Sequence, residues 1–239
     1  MPLLDIDWTK NDRDPFAFLV NWSACVADAL NAQLPNTERF RAEPLDRTRL
    51  KTGEEIAGFA QGPPVVSAGG QDTDQKYPAF DPPAPTFVAP ARFTDRVGVN
   101  VSDAHHGRRV TAVVMFVTPD NKADSDSSLA FAVRAAALMS RGAGVVIVDA
   151  LPGPASWATH LHSLVGVYPI TKRPRGTDAP VLVVHPQVQG GAEQFAVWHH
   201  TVASGFPLPT VPVPIRGAMN LKLDLEATYA AACERGTVS

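Results

Sequence analysis

One stretch constrains the fold more than any other: RVTAVVMFVTPDNKADSDSSLAFAVRAAALMSRGAGVVIVDAL, from Arg109 to Leu151. Val110 to Val117 is a nearly unbroken apolar run rich in β-branched residues, which suits a strand buried on both faces. Pro119 lacks an amide hydrogen and ends the pairing. The loop Pro119 to Ser127 is polar, and Ser125 or Asp126 is placed to cap the helix that follows. Leu129, Val133, Ala136 and Met139 recur at helical spacing. Arg141 falls in the last turn and Gly142 just past it, as at a helix end. Val145 to Val148 is a second apolar strand, running into Asp149. Strand, helix and strand at this spacing predict a right-handed parallel unit whose two faces the rest of the chain has to cover.

The remaining chain supplies those covers. Asp14-Pro15 opens a helix, with Asp as cap and Pro at the first helical position; Leu19, Trp22, Val26, Ala29 and Leu30 form one face of it and Pro35 closes it. Phe40 to Leu45 reads as a short strand that Pro44 confines to an edge. Lys51 to Ala60 shows no decisive pattern. Gln61 to Pro90, with GPP, SAGG and DPPAP, disfavours regular structure and reads as a long connection around the body of one domain spanning 1–239. Val97 to Val117 reads as a β-hairpin turning at His105-His106-Gly107. Beyond Asp149, Ser156 to Val165 fits a short helix or an irregular segment. Val181 to His185 and Gln194 to Thr201 are strands joined through Gln189-Gly190-Gly191. Phe206 to Pro214, with prolines at alternate positions, is extended and predicted to wrap the surface. Leu223 to Cys233 is a C-terminal helix. The expected class is α/β, a central mixed sheet flanked by helices.

With 45% hydrophobic residues the chain can bury a sizeable core. Its formal net charge of −3 gives no global pull towards nucleic acid or an anionic membrane. No apolar run is long enough to cross a bilayer, and the N-terminus lacks the basic-then-apolar pattern of a secretory signal, so a cytoplasmic location is expected. Cys25, among apolar neighbours, is expected to be a reduced core thiol rather than half of a disulfide with Cys233.

Several chemistries lack their motifs: there is no G-x-x-x-x-G-K-[ST], no G-x-G-x-x-G after a strand, no G-x-S-x-G and no C-x-x-C. The histidine pairs His105-His106, His160 with His162, and His199-His200 are weak metal candidates, since neighbours on a strand point to opposite faces. The more specific signal is Thr118 to Lys122 (TPDNK). Carboxylates near strand ends with a lysine beside them can hold Mg²⁺ and stabilise charge on an attacked phosphate. Here those pieces would be Asp103, Lys122 and Asp149. The plainer interpretation makes Asp120, Asn121 and Asp124 turn formers and Lys122 a solvated charge.

Four blocks carry a resemblance: WSACVADALNAQLP with RFRAE (Trp22 to Pro35, Arg39 to Glu43), DAHHGRRVTAVVMFVTPDNK (Asp103 to Lys122), VVIVDAL (Val145 to Leu151), and FPLPTVPVPI with LDLEATY (Phe206 to Ile215, Leu223 to Tyr229). Together they resemble an uncharacterised bacterial family of unknown function assigned to the restriction-endonuclease-like, PD-(D/E)XK superfamily. The resemblance implies a mixed sheet flanked by helices and a site at the end of the strand leading into PDNK. It implies Lys122 as a catalytic residue and Asp149 and Glu43 as acidic positions of the site; Asp103, which the strand-end reading adds as a catalytic or metal-ligating acid, would complete the set, with Mg²⁺ as cofactor if the site works. Two positions depart from that pattern: Met115 and Ile147 stand where the family has glutamates, and neither can coordinate Mg²⁺. The proline-aspartate signature has no clean counterpart either; Asp81 lies in the proline-rich stretch.

Three functional classes follow. The first is a non-catalytic member of a nuclease-like family that acts as a scaffold or binds a protein partner. The second is a residual Mg²⁺-dependent phosphodiesterase using Asp103, Asp149 and Glu43 as ligands with Lys122. The third is a nucleic-acid-binding protein without catalysis, with phosphate contacts from Arg108, Arg109, Lys122, Lys172, Arg173 and Arg175.

Overall fold

The structure is a computed structural model. It describes residues 14–35, 38–45, 96–107, 109–151, 153–167, 178–203, 206–215 and 219–236. The lead-in, the segment Lys51 to Ala60, the proline-rich connection at 61–90 with Asp81, and Arg108, Lys172, Arg173 and Arg175 lie outside the described residues.

Six strands form one mixed sheet in the order β1 (Phe40–Leu45), β2 (Val97–Asp103), β3 (Arg109–Phe116), β4 (Gly144–Val148), β5 (Asp178–Gln189) and β6 (Ala192–Ala203). The pair β3–β4 is parallel, and the other neighbours are antiparallel. The helix that makes this crossover is α2 (Ser125–Ser140); α1 (Pro15–Asn31) precedes the sheet, α3 (Ser156–Val165) follows β4, and α4 (Leu225–Gly236) ends the described chain. The strand–helix–strand unit is therefore where the sequence places it. Gly107 turns the β2–β3 hairpin with φ +69°, a backbone conformation that side chains with a Cβ rarely adopt.

Each face of the sheet has its own core. Alternate residues Val99, Val101, Ala112, Val114, Phe116, Val146, Val148, Val181 and Val183 face α1 and α4. The intervening ones, Val113, Met115, Val145, Ile147, Leu182 and Val184, face α2 and α3. Trp22 ties the first core together: its ring lies 4.7 Å from Phe116 on the sheet and 5.3 Å from Tyr229 on α4, and its indole N–H donates to Thr228 Oγ1 at 3.0 Å. The amide side chains of Asn31 and Gln33 act as substitute strands. Asn31 both donates to and accepts from the backbone of Ala42 at 2.9 Å, and Gln33 does the same for Lys222. Both cysteines are free thiols, and burial pushes the Cys25 thiol up.

Three sequence expectations need correction. Phe206 to Pro214 does not wrap the surface. Its second half is β7 (Thr210–Ile215), which pairs with β8 (Met219–Asp224) as a hairpin, and Val211, Val213 and Ile215 are buried in the α1-side core. A Cβ on Gly144 would sit 2.0 Å from the Pro214 carbonyl oxygen, so the hairpin lies directly on the start of β4. The prolines are tolerated because, among the described residues, β7 is paired on one side only. Second, α2 turns Ser128, Phe131, Ala132, Ala135 and Met139 inward and leaves Leu129 and Val133 exposed. Alanines make this helix apolar nearly all round, so spacing alone does not fix its inward face, and the bulk of Phe131 decides. Third, the α2 cap is Asp124, not Ser125 or Asp126; it accepts from Ser127 N at 2.6 Å. Ser156 to Val165 resolves as a helix. Among the described residues, no helix is long and apolar enough to cross a membrane.

Candidate functional site

Where β3 ends, the backbone is fixed step by step. Val117 N donates to Val148 O at 3.0 Å, which keeps β3 and β4 joined one residue past the strand. Asn121 Oδ1 accepts from Thr118 N, while Asn121 N donates to Thr118 O, forming a tight turn that continues through Asp120–Lys122. Ser128 on α2 donates to Asn121 O at 2.9 Å and anchors the turn to the helix. The Ser127 amide holds the Asp124 carboxyl below its ordinary range.

This turn aims Lys122 inwards. Its ammonium lies 2.7 Å from Asp149 Oδ1 and donates to Leu151 O at 2.6 Å. Asp149, one residue beyond β4, is held by its amide to Pro180 O of β5, and its Oδ2 accepts from the Trp157 indole of α3 at 2.9 Å. The Lys122 and Asp149 side chains are 8% and 0% exposed, so the pair is enclosed and Lys122 is no solvated surface charge. The Oδ1 contact is an ion pair without the alignment of a directional hydrogen bond. Burial pushes the Asp149 carboxyl up, and the charge of Lys122 and the Trp157 N–H oppose that rise. Asn121 Nδ2 is enclosed beside this cluster with no hydrogen-bond partner.

The structure brings Lys122 and Asp149 together but not the other proposed ligands. Asp103 is at the opposite end of the hairpin, paired in register with Arg109, about 25 Å of strand from Val117. There it takes a forked contact from Arg39, at 3.1 Å from Nη2, and caps the turn through His105 N. Glu43 stands on the edge strand β1, three strand spacings or about 14 Å from β4, exposed and paired with Arg41. Met115 and Ile147 are register partners, both buried under α2 and α3. A resident Mg²⁺ does not fit this donor set: Asp149 already has both oxygens engaged, Asp103 and Glu43 face arginines, and among the described residues no group of three metal-ligating side chains forms around Asp149. Among the described residues no three His, Cys, Asp or Glu side chains gather as a metal site. His160 and His162 lie on α3, two residues apart on a helix, and so do not share a face. Arg109 donates to Arg141 O at the far end of the sheet from Lys122, so these two of the cations proposed for phosphate contacts stand apart.

Sequence reasoning passed over Trp157, Arg39 and the arginines Arg96 and Arg134. An indole in a short amphipathic segment is a weak signal, and Arg39 is 64 residues from the carboxylate it meets. Comparison with known proteins found no matching family model, no matching curated protein and no matching solved structure.

Proposed function

We propose that the chain is a non-catalytic binding or scaffold protein on a nuclease-like, restriction-endonuclease-like architecture. The observation that carries the reading is the enclosed Lys122–Asp149 pair. In a metal-dependent phosphodiesterase the lysine has to meet the developing phosphate charge and the carboxylate has to meet the metal. Here each meets the other at 2.7 Å, and the flanking positions Met115 and Ile147 pack the space with apolar side chains. The arrangement fastens the loop after β3 to the end of β4 and to α3, a structural role. Binding surfaces are left to the rest of the body.

The test is hydrolysis of duplex DNA, single-stranded RNA and an activated phosphodiester with Mg²⁺ or Mn²⁺, alongside a calorimetric Mn²⁺ titration. The expected result is no turnover that Lys122→Ala removes, and no saturable Mn²⁺ binding that Asp149→Ala removes. Metal-dependent turnover lost in Lys122→Ala overturns the proposal in favour of a working phosphodiesterase.

A further inference from the structure

Two arginines near the same end of the sheet share an arrangement that the Lys122–Asp149 clamp does not use. Arg96 immediately precedes β2, and its neighbour Val97 registers with Phe116, the last residue of β3. Val97 faces α1, so strand alternation turns Arg96 towards α2. Arg134 lies on α2 with its guanidinium 5.4 Å from the Phe131 ring centre. Side chains on a helix lean towards its N-terminus, which for α2 is the end where β3 finishes. Both residues are half-buried, and in both the Nε is enclosed with no hydrogen-bond partner. Among the described residues neither arginine has an ion pair. Burial, and after it the charge of Arg96, pulls Arg134 down to about 10, leaving it cationic at neutral pH.

An enclosed Nε–H without an acceptor is costly, and a second guanidinium nearby adds repulsion. An oxyanion that accepts from both forks relieves both costs at once. Arginine forks match the spacing of phosphate oxygens and bind them bidentately. We propose that Arg96 and Arg134 form a binding site for a phosphate group, reached from the solvent-facing part of the two half-buried side chains. This gives the binding reading above a ligand class and rests on it only in assigning no chemistry to the bound phosphate. Lys122 takes no part, since Asp149 neutralises it.

The experiment uses the full chain. Calorimetry and thermal unfolding are run with inorganic phosphate, a nucleoside 5′-monophosphate and a dinucleoside monophosphate, against chloride at equal ionic strength, with acetate as a carboxylate control. Saturable binding is expected, and Arg134→Met weakens it about tenfold to a hundredfold, the loss expected for charge-assisted bonds. The same variant melts higher than the wild type in chloride, because a buried repulsion has been removed, and no longer responds to phosphate. Should Arg134→Met fold poorly, Arg96→Gln serves the same test. The tightest arm identifies the source: free phosphate, a monoester or a diester. Binding that survives both substitutions, acetate binding as tight as phosphate, or no binding in any arm overturns the site. Metal-dependent hydrolysis, by contrast, would overturn the non-catalytic reading and leave the phosphate site standing.

Discussion

Replacing Lys122 with methionine tests the closed ion pair directly, because the stem keeps its length and only the ammonium is lost. Asp149 would then be a fully buried carboxyl with Trp157 as its remaining side-chain donor. Breaking a buried pair from one side costs about 3–5 kcal/mol. The carboxyl can limit that cost by taking a proton. Against an unfolded value of about 3.9, protonation costs about 4 kcal/mol at pH 7 and about 1.5 kcal/mol at pH 5. The lost hydrogen bond to Leu151 O adds about 1 kcal/mol at either pH. The sign follows from the raised folded value of Asp149. A carboxyl that holds its proton more tightly when folded favours the fold at low pH, and that contribution is lost as pH rises through the folded value. In Lys122→Met the opposing charge is gone and the rise is larger. Urea unfolding of variant and wild type at pH 5, 6, 7 and 8 should therefore show a deficit that widens with pH, by about 2–3 kcal/mol between pH 5 and 7. Near neutrality it amounts to about 10–20 °C in Tm. Adding Asp149→Asn, which keeps an acceptor for Trp157, should recover most of the loss. A deficit equal at pH 5 and pH 7 would refute the claim that Lys122 serves to neutralise Asp149.

Other consequences are as concrete. Trp157→Phe keeps the ring beside Phe131 but removes the indole N–H from Asp149 Oδ2; urea unfolding at pH 7 should show a loss of about 1–3 kcal/mol, and no loss would mean the bond is immaterial. Gly144→Ala places a Cβ against the Pro214 carbonyl. It should destabilise by about 1–3 kcal/mol, and an unchanged midpoint would contradict the seating of the β7–β8 hairpin. Asp103→Ala breaks the Arg39 contact and the cap on His105. It should lower stability modestly while leaving Mn²⁺ titrations identical to the wild type; an altered Mn²⁺ response would return Asp103 to a metal site.

The legible part of the fold is the part specified by local sequence. Runs of β-branched residues mark β2, β3, β4 and β5 because these strands are buried, and burial leaves a compositional trace whatever the partner. Asp14-Pro15 and Arg141-Gly142 mark helix ends through backbone chemistry confined to a few residues. The β7–β8 hairpin is illegible for the converse reason. Its prolines argue against a strand with two neighbours, and its acceptance as a buried strand depends on Gly144, some 70 residues earlier, leaving room for its backbone. Which face of α2 turns inward is likewise a tertiary outcome, since alanine fits either way.

The same distinction governs the site. Lys122 and Asp149 stand out because each terminates a buried strand of one parallel unit, and parallel neighbours bring their C-terminal ends together without further information. Asp103 belongs to the antiparallel partner, so the residue that ends β2 meets the one that begins β3, and its carboxylate is carried to the opposite end. Reading the direction of each strand before assigning ligands would have separated the two acids. The unpaired arginines illustrate a different limit: an arginine becomes conspicuous only when its surroundings fail to supply an acceptor. Spacing does not encode that failure. It emerges only when the start of β2 and the body of α2 enclose the Nε atoms of Arg96 and Arg134 without partners, and the phosphate proposed for them is the group whose charge and geometry would answer it.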